Sequence, residues 1–205
     1  MNGNTEKTIK TAIAVMIASS LVGVGVCFEL YANIGSSSIT VFEDGLSRTF
    51  GIKVGTASII YGILMVVLDY LFARKYLGWT TIANAVLCGL FINILDPILR
   101  PLFMTDNLFY RYLILMASIV VIAISSVILI RFDSGMNSID ALAQAVADKT
   151  RFEFSILRII CDGLLILTGY LLGGVVGIGT VISMIFTGPL IDLINKAVDL
   201  FGKNT

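Results

Sequence analysis

The sequence predicts an all-α membrane protein of six transmembrane helices, built as two inverted-topology three-helix repeats. Each repeat has a short amphipathic helix after its first span. Three observations predict this. The chain of 205 residues is 57% hydrophobic and only 14% charged, with a mean hydropathy of +0.96, whereas soluble domains carry roughly 25% charged residues. Its apolar runs each approach the ~20 residues needed to cross ~30 Å of hydrocarbon. A shift of one hundred residues brings the two halves into register.

The apolar runs cover approximately 11–31, 54–73, 79–96, 109–131, 154–172 and 176–195. The first is too long for a signal-peptide core and lacks a persuasive cleavage site, so it is expected to remain as a helix. Short links, "ARKYLGW" and "LGGVVGIG", join spans two to three and five to six. Longer segments, 32–53 and 132–153, follow spans one and four. The ten-residue alternation of an outer-membrane barrel is absent, and helices satisfy their own backbone groups in lipid. The whole chain, 1–205, reads as a single transmembrane domain, with repeat 1 at about 11–96 and repeat 2 at about 109–195.

Lysine and arginine positions orient the spans. Lys7, Lys10, Arg74, Lys75, Arg131, Lys149, Arg151, Lys196 and Lys203 fall on one side, and Arg48, Lys53, Arg100 and Arg111 on the other. This excess predicts that both termini are cytoplasmic, in agreement with an even number of spans.

The repeat pairs "NIGSSSITVFEDGL" with "FDSGMNSIDALAQAV", matching Gly35 with Gly135, Ser38 with Ser138 and Ile39 with Ile139. Ile60 then meets Ile160, Leu64 meets Leu164 and Tyr70 meets Tyr170. After one gap, Gly78 pairs with Gly177, Thr81 with Thr180, Gly89 with Gly188 and Ile92 with Ile191. Three spans per half force the second half to enter the membrane the other way. In secondary transporters such halves form a site between them near the midplane. A duplicated scaffold without a site is the plainer alternative.

Within 32–53, Ile39, Phe42 and Leu46 have helical spacing, and Ile139, Leu142 and Val146 match them. Both segments read as short amphipathic helices after a glycine turn, lying at the interface or re-entering the membrane. Ser36, Ser37 and Ser38 in one half, and Asn137, Ser138 and Asp140 in the other, supply N-cap chemistry. Exposed amides at such a helix start would suit an anionic or polar solute.

A charge at a helix centre costs roughly 2.5–3.5 kcal/mol on insertion scales. Asp69, near Arg74 and Lys75, reads as a surface pairing; Glu29 reads as facing headgroups; Asp192 has Lys196 one turn on. Arg158 and Asp162 lie deeper in span five, at a spacing that places them on one helix face. Their face must point into protein or water. Asn84, and Asn93 matched with Asp192, add polar groups to such an interior. A static clasp and a substrate or proton site both fit. The first-half equivalents, Ser58 and Gly62, are uncharged, which favours a site over a clasp demanded by the scaffold.

The glycine turn and helix start in "DSGMNSIDALAQAV" and the final span "LLGGVVGIGTVISMIFTGPLID" resemble the YczE/YyaS/YitT-like family of bacterial integral membrane proteins. The resemblance runs roughly from Ile17 to Asn195. The first half departs from it, because "GSSSITVFEDGL" has no acid at the place of Asp140. The resemblance implies a protein of the bacterial cytoplasmic membrane and brings no catalytic residues.

Zero net charge excludes a nucleic-acid footprint, and no histidine is present to serve as metal ligand or general base. Cys27, Cys88 and Cys161 are isolated and read as small apolar packing residues. Neither an enzyme nor a cofactor or metal site is expected. The leading expectation is a small secondary transporter or permease for a small polar or anionic solute. Arg158, Asp162, Asn84, Ser38, Asn137, Ser138 and Asp140 would form its site between the repeats. The alternatives are a substrate-binding membrane subunit of a multi-component transporter, or an accessory membrane protein without transport activity. The small residues of "AVMIA", Ala14 to Ala18, would offer a contact surface to another helix in a homo-oligomer or partner subunit.

Overall fold

Helices make up nearly all of the computed structural model, which describes residues 3–132 and 137–202. Gly135 and Lys203, used above for the glycine turn and the charge balance, lie outside those residues. The six long helices are α1 (Gly3–Ala32), α3 (Val54–Phe72), α4 (Trp79–Phe103), α5 (Leu108–Arg131), α7 (Phe154–Leu171) and α8 (Ile178–Gly202). All six are long and apolar enough to cross a membrane. The two short ones are α2 (Ser38–Phe50) and α6 (Ser138–Ala147). No strand occurs among the described residues. The third span exceeds its expected 79–96 because α4 continues through Pro97 and Pro101, since a proline removes one ladder bond without always ending the helix.

The most buried span is α1, which packs on α5 and α4. Val26, Cys27 and Tyr31 meet Ile92 on one side, and Ala32 meets Leu115 and Ile119 on the other. The buried Ser125 hydroxyl donates to the Ala18 carbonyl at 2.9 Å. Ala14 and Ala18 are both buried within this chain, so the small-residue surface expected to receive another subunit is used internally.

At its end, α1 stops at Asn33, whose left-handed φ of 47° suits an asparagine helix terminus. Gly35 follows with φ 105°, a conformation side chains disfavour, where an added Cβ would strike the Gly177 and Thr180 amides. The chain thereby turns back along α1 and starts α2 beside Glu29. Neither short helix lies on the surface: α2 packs on α3 and α7, and α6 packs on α7 and α3. Of the apolar residues read from the pattern, Ile39, Phe42, Ile139 and Leu142 gather around Tyr61 and Met65, whereas Val146 at the end of α6 is exposed.

The packing of the first half recurs in the second. As α1 packs on α4, α5 packs on α8; as α2 packs on α3, α6 packs on α7. The most extensive pairing that does not recur is that of α3 with α4. α3 lies close on α4, where a Cβ on Gly55 or Gly89 would overlap the other's carbonyl oxygen. By contrast, α7 and α8 have no comparable contact, and Gly163 and Gly188 face open space.

Candidate functional site

Four of the residues singled out in the sequence meet at one place. Arg158 Nη1 donates to Asp162 Oδ1 at 2.8 Å, and its Nε lies 2.8 Å from Asp140 Oδ1. The Ser38 hydroxyl donates to the same Asp162 oxygen. The guanidinium thus joins the start of α6 to the middle of α7, and Asp162 in turn holds the start of α2. The planar guanidinium fork suits this, since it can serve two carboxylates at once. The cluster is less than a third exposed, and its arginine is engaged by two of the protein's own acids through Nε and Nη1.

The helix starts are also engaged. Ser37 is the N-cap of α2 and Asn137 that of α6, as the composition suggests, yet neither side chain makes the capping bond. Ser37 instead directs its backbone N–H to Glu29 Oε1 at 3.1 Å and its hydroxyl to Glu29 Oε2 at 2.8 Å. Glu29 is 1% exposed, which corrects its placement at the headgroups. It occupies the anion position that a helix N-terminus offers. Asp69 is likewise fully buried, beside Ser138 at the start of α6. It pairs with neither Arg74 nor Lys75: Arg74 stacks over Tyr70, and Lys75 reaches Asp148 at 3.5 Å. Asp192 is exposed and forms no ion pair with Lys196 among the described residues. Asn93 donates to Thr56 at 3.3 Å, between α4 and α3.

Replacing Glu29 by alanine would strip two donors of their acceptor at a buried turn. We expect a loss of about 2–4 kcal/mol, with Glu29→Gln recovering part of it, read from thermal melts in detergent.

The remaining predicted residues line a cavity of about 200 Å³ enclosed by α1 to α6. Asn84, Asn137 and Ser138 contribute polar groups, together with Ser37, Thr40, Ser58 and Thr81; Val22, Val26, Ile39, Met65 and Ile122 form apolar wall. The Asn84 carbonyl oxygen accepts from Ser19 at 2.7 Å and from the Cys88 thiol at 3.3 Å. Arg158, Asp162, Asp140 and Ser38 are not among the lining residues. The expected single site is therefore two adjacent features, a charged cluster and a mainly apolar cavity with a few polar groups.

Among the described lining residues Glu43 is the one carboxylic acid, and none is basic. It is 3% exposed, and its Oε2 has no hydrogen-bond partner. Burial pushes its carboxyl up to about 8, against a hydrogen bond from Ser58, with the nearby Glu29 adding to the rise. The sequence reading passed over Glu43. The signal was present: it sits one turn after Ile39, on the stripe of Ile39, Phe42 and Leu46 that faces inward.

The comparisons with known proteins agree with the resemblance read from the motifs. The chain is 30% identical over 173 residues to the uncharacterized membrane protein YczE of Bacillus subtilis, covering 80% of this chain and 79% of the relative. It is 25% identical over 182 residues to an uncharacterized protein of Haemophilus influenzae, covering 89% and 82% respectively. It is 18% identical over 179 residues to the uncharacterized protein YyaS of Bacillus subtilis, covering 87% and 89%. No solved structure matches. A family of unknown function, DUF6198, matches residues 9–196, and the chain belongs to that family.

Proposed function

We propose that the protein is a small secondary transporter whose solute site is the cavity between two inverted halves. The observation that carries this reading is a partly polar cavity, deep among helices long enough to span a membrane, with a buried acid aimed into it. Such groups are costly in a membrane interior, and they commonly mark a path for a solute or proton. The register of the sequence repeat supports an inverted duplication, as do the packing relations shared by α1–α4 and α5–α8. The lysine and arginine excess supports a cytoplasmic location for both termini in a bacterial inner membrane.

The α3–α4 pairing, which the second half does not share, supports alternating access. α3 is closed on α4 while α7 stands away from α8. Exchanging these two arrangements would move the opening from one side of the membrane to the other. The chemistry points away from an anion. Arg158 is held by two carboxylates, the start of α2 is held by Glu29, and the described cavity lining offers an acid and no base. The solute is polar, and neutral or cationic.

The test is flux of small polar solutes into proteoliposomes carrying the purified chain. We expect flux above protein-free vesicles, reduced at least about tenfold by Asn84→Leu, because an inserted apolar side chain fills the cavity and removes its polar contact. Flux indistinguishable from empty vesicles for neutral and cationic solutes alike would refute the transporter reading.

A further inference from the structure

Among the described residues, no base is supplied to Glu43. Every charged or titratable group facing it from the surrounding helices is acidic, neutral or already committed. From α1 it faces Glu29, which is bonded to Ser37; from α3 it faces Tyr61, and from α4 Cys88. On α7, Arg158 is shared between Asp140 and Asp162. On α2 itself, Asp44 is paired with Arg48 at 2.9 Å and accepts the Val175 N–H at 3.2 Å. An ionised carboxylate so placed, with Oε2 unpartnered, costs several kcal/mol unless a proton or a cation joins it.

The walls say what kind of cation fits. Inorganic Ca²⁺ takes 6–8 oxygen ligands at about 2.3–2.6 Å, whereas here a single carboxylate and dispersed hydroxyls share the wall with aliphatic side chains. A cavity of roughly 150 Å³ is known to accept benzene, so about 200 Å³ admits a molecule slightly larger. The Tyr61 ring is part of the lining and can face an ammonium group.

We infer that the cavity binds a small organic primary ammonium ion, held by the Glu43 carboxylate in exchange for a proton. This rests on the cavity being the solute site. In the empty state Glu43 carries its proton. On binding, the carboxyl O–H bond breaks, the proton leaves to solvent, and an ammonium N–H donates to the resulting carboxylate. Both forms of the cavity are neutral, the protonated acid alone or the carboxylate with its cation. Either can therefore sit in a low-dielectric interior, so amine and proton can move in opposite directions on one residue.

The experiment is calorimetry on the full chain in lipid nanodiscs, using benzylamine, benzyl alcohol and benzoate in two buffers of different ionisation enthalpy. Benzylammonium is expected to bind best and to release a proton on binding. Because the cation binds only ionised Glu43, its affinity should rise about tenfold per pH unit below the carboxyl's pKa and level off above it. Glu43→Gln should weaken benzylammonium at least about 30-fold, remove the proton release, and leave benzyl alcohol nearly unchanged. If the glutamine variant fails to fold, proton release by the wild-type chain decides alone. Benzyl alcohol or benzoate binding as well as benzylammonium, or benzylammonium binding without proton release, would overturn the cation assignment and leave the cavity as a site. Binding of none of the three would overturn the cavity reading as well.

Discussion

Arg158→Ala is expected to destabilise the protein by about 2–4 kcal/mol, as much as the loss of Glu29. Removing the guanidinium leaves Asp140 and Asp162 facing each other in a mostly buried cluster. The cost of an uncompensated buried charge exceeds the worth of the pair itself. The same argument sets a control. Asp140→Asn, Arg158→Met and Asp162→Asn combined should regain most of the lost stability, because neutral side chains of similar size need no counter-charge. Thermal unfolding in detergent measures both. The triple variant should keep proteoliposome flux within about threefold of wild type, since none of these residues lines the cavity. Normal stability with abolished flux in the triple variant would return the cluster to the solute path that the sequence favoured.

Two glycines matched by the sequence repeat should respond in opposite ways to the same substitution. Gly89→Leu is expected to cost 3 kcal/mol or more, roughly the upper end for overpacking, because its Cβ would overlap the Gly55 carbonyl oxygen and crowd Ile59. Gly188→Leu meets nothing within 4 Å, and it should gain about 0.5–1 kcal/mol from helix propensity. Under the proposed transporter function its effect is on flux. If α8 closes on α7 in the other state as α4 closes on α3 here, leucine at 188 blocks that closure. Flux should then fall at least about tenfold while the melting temperature holds or rises. Full flux in Gly188→Leu would remove the support this seam gives to alternating access.

Several features were legible in the chain before any packing was known. Apolar run length placed the six spans, because crossing hydrocarbon imposes a minimum length whatever the neighbours are. Helical spacing of Ile39, Phe42 and Leu46, and of Ile139, Leu142 and Val146, identified the two short helices. The one-turn spacing of Arg158 and Asp162 identified their pairing. Ser38 and Asp140 were drawn into the same cluster through the helix starts, although nothing in the sequence showed that one arginine would hold both acids.

Which way each polar residue faces was decided only by tertiary structure. Glu29 and Asp69 looked like groups near span ends with access to headgroups or surface cations, yet both are buried beside the start of a short helix. Glu43 and Asp44 are adjacent acids in one short helix. A rotation of about 100° between neighbours sends Glu43 into the cavity and leaves Asp44 to bind Arg48. Local pattern determined how long each helix is and which stripe is apolar, because those depend on solvent and backbone geometry alone. It did not determine which partner fills the space opposite a given side chain, because that depends on where distant helices pack. For this protein, that long-range packing separated a charged cluster from a partly polar cavity and left Glu43 as the cavity's acid.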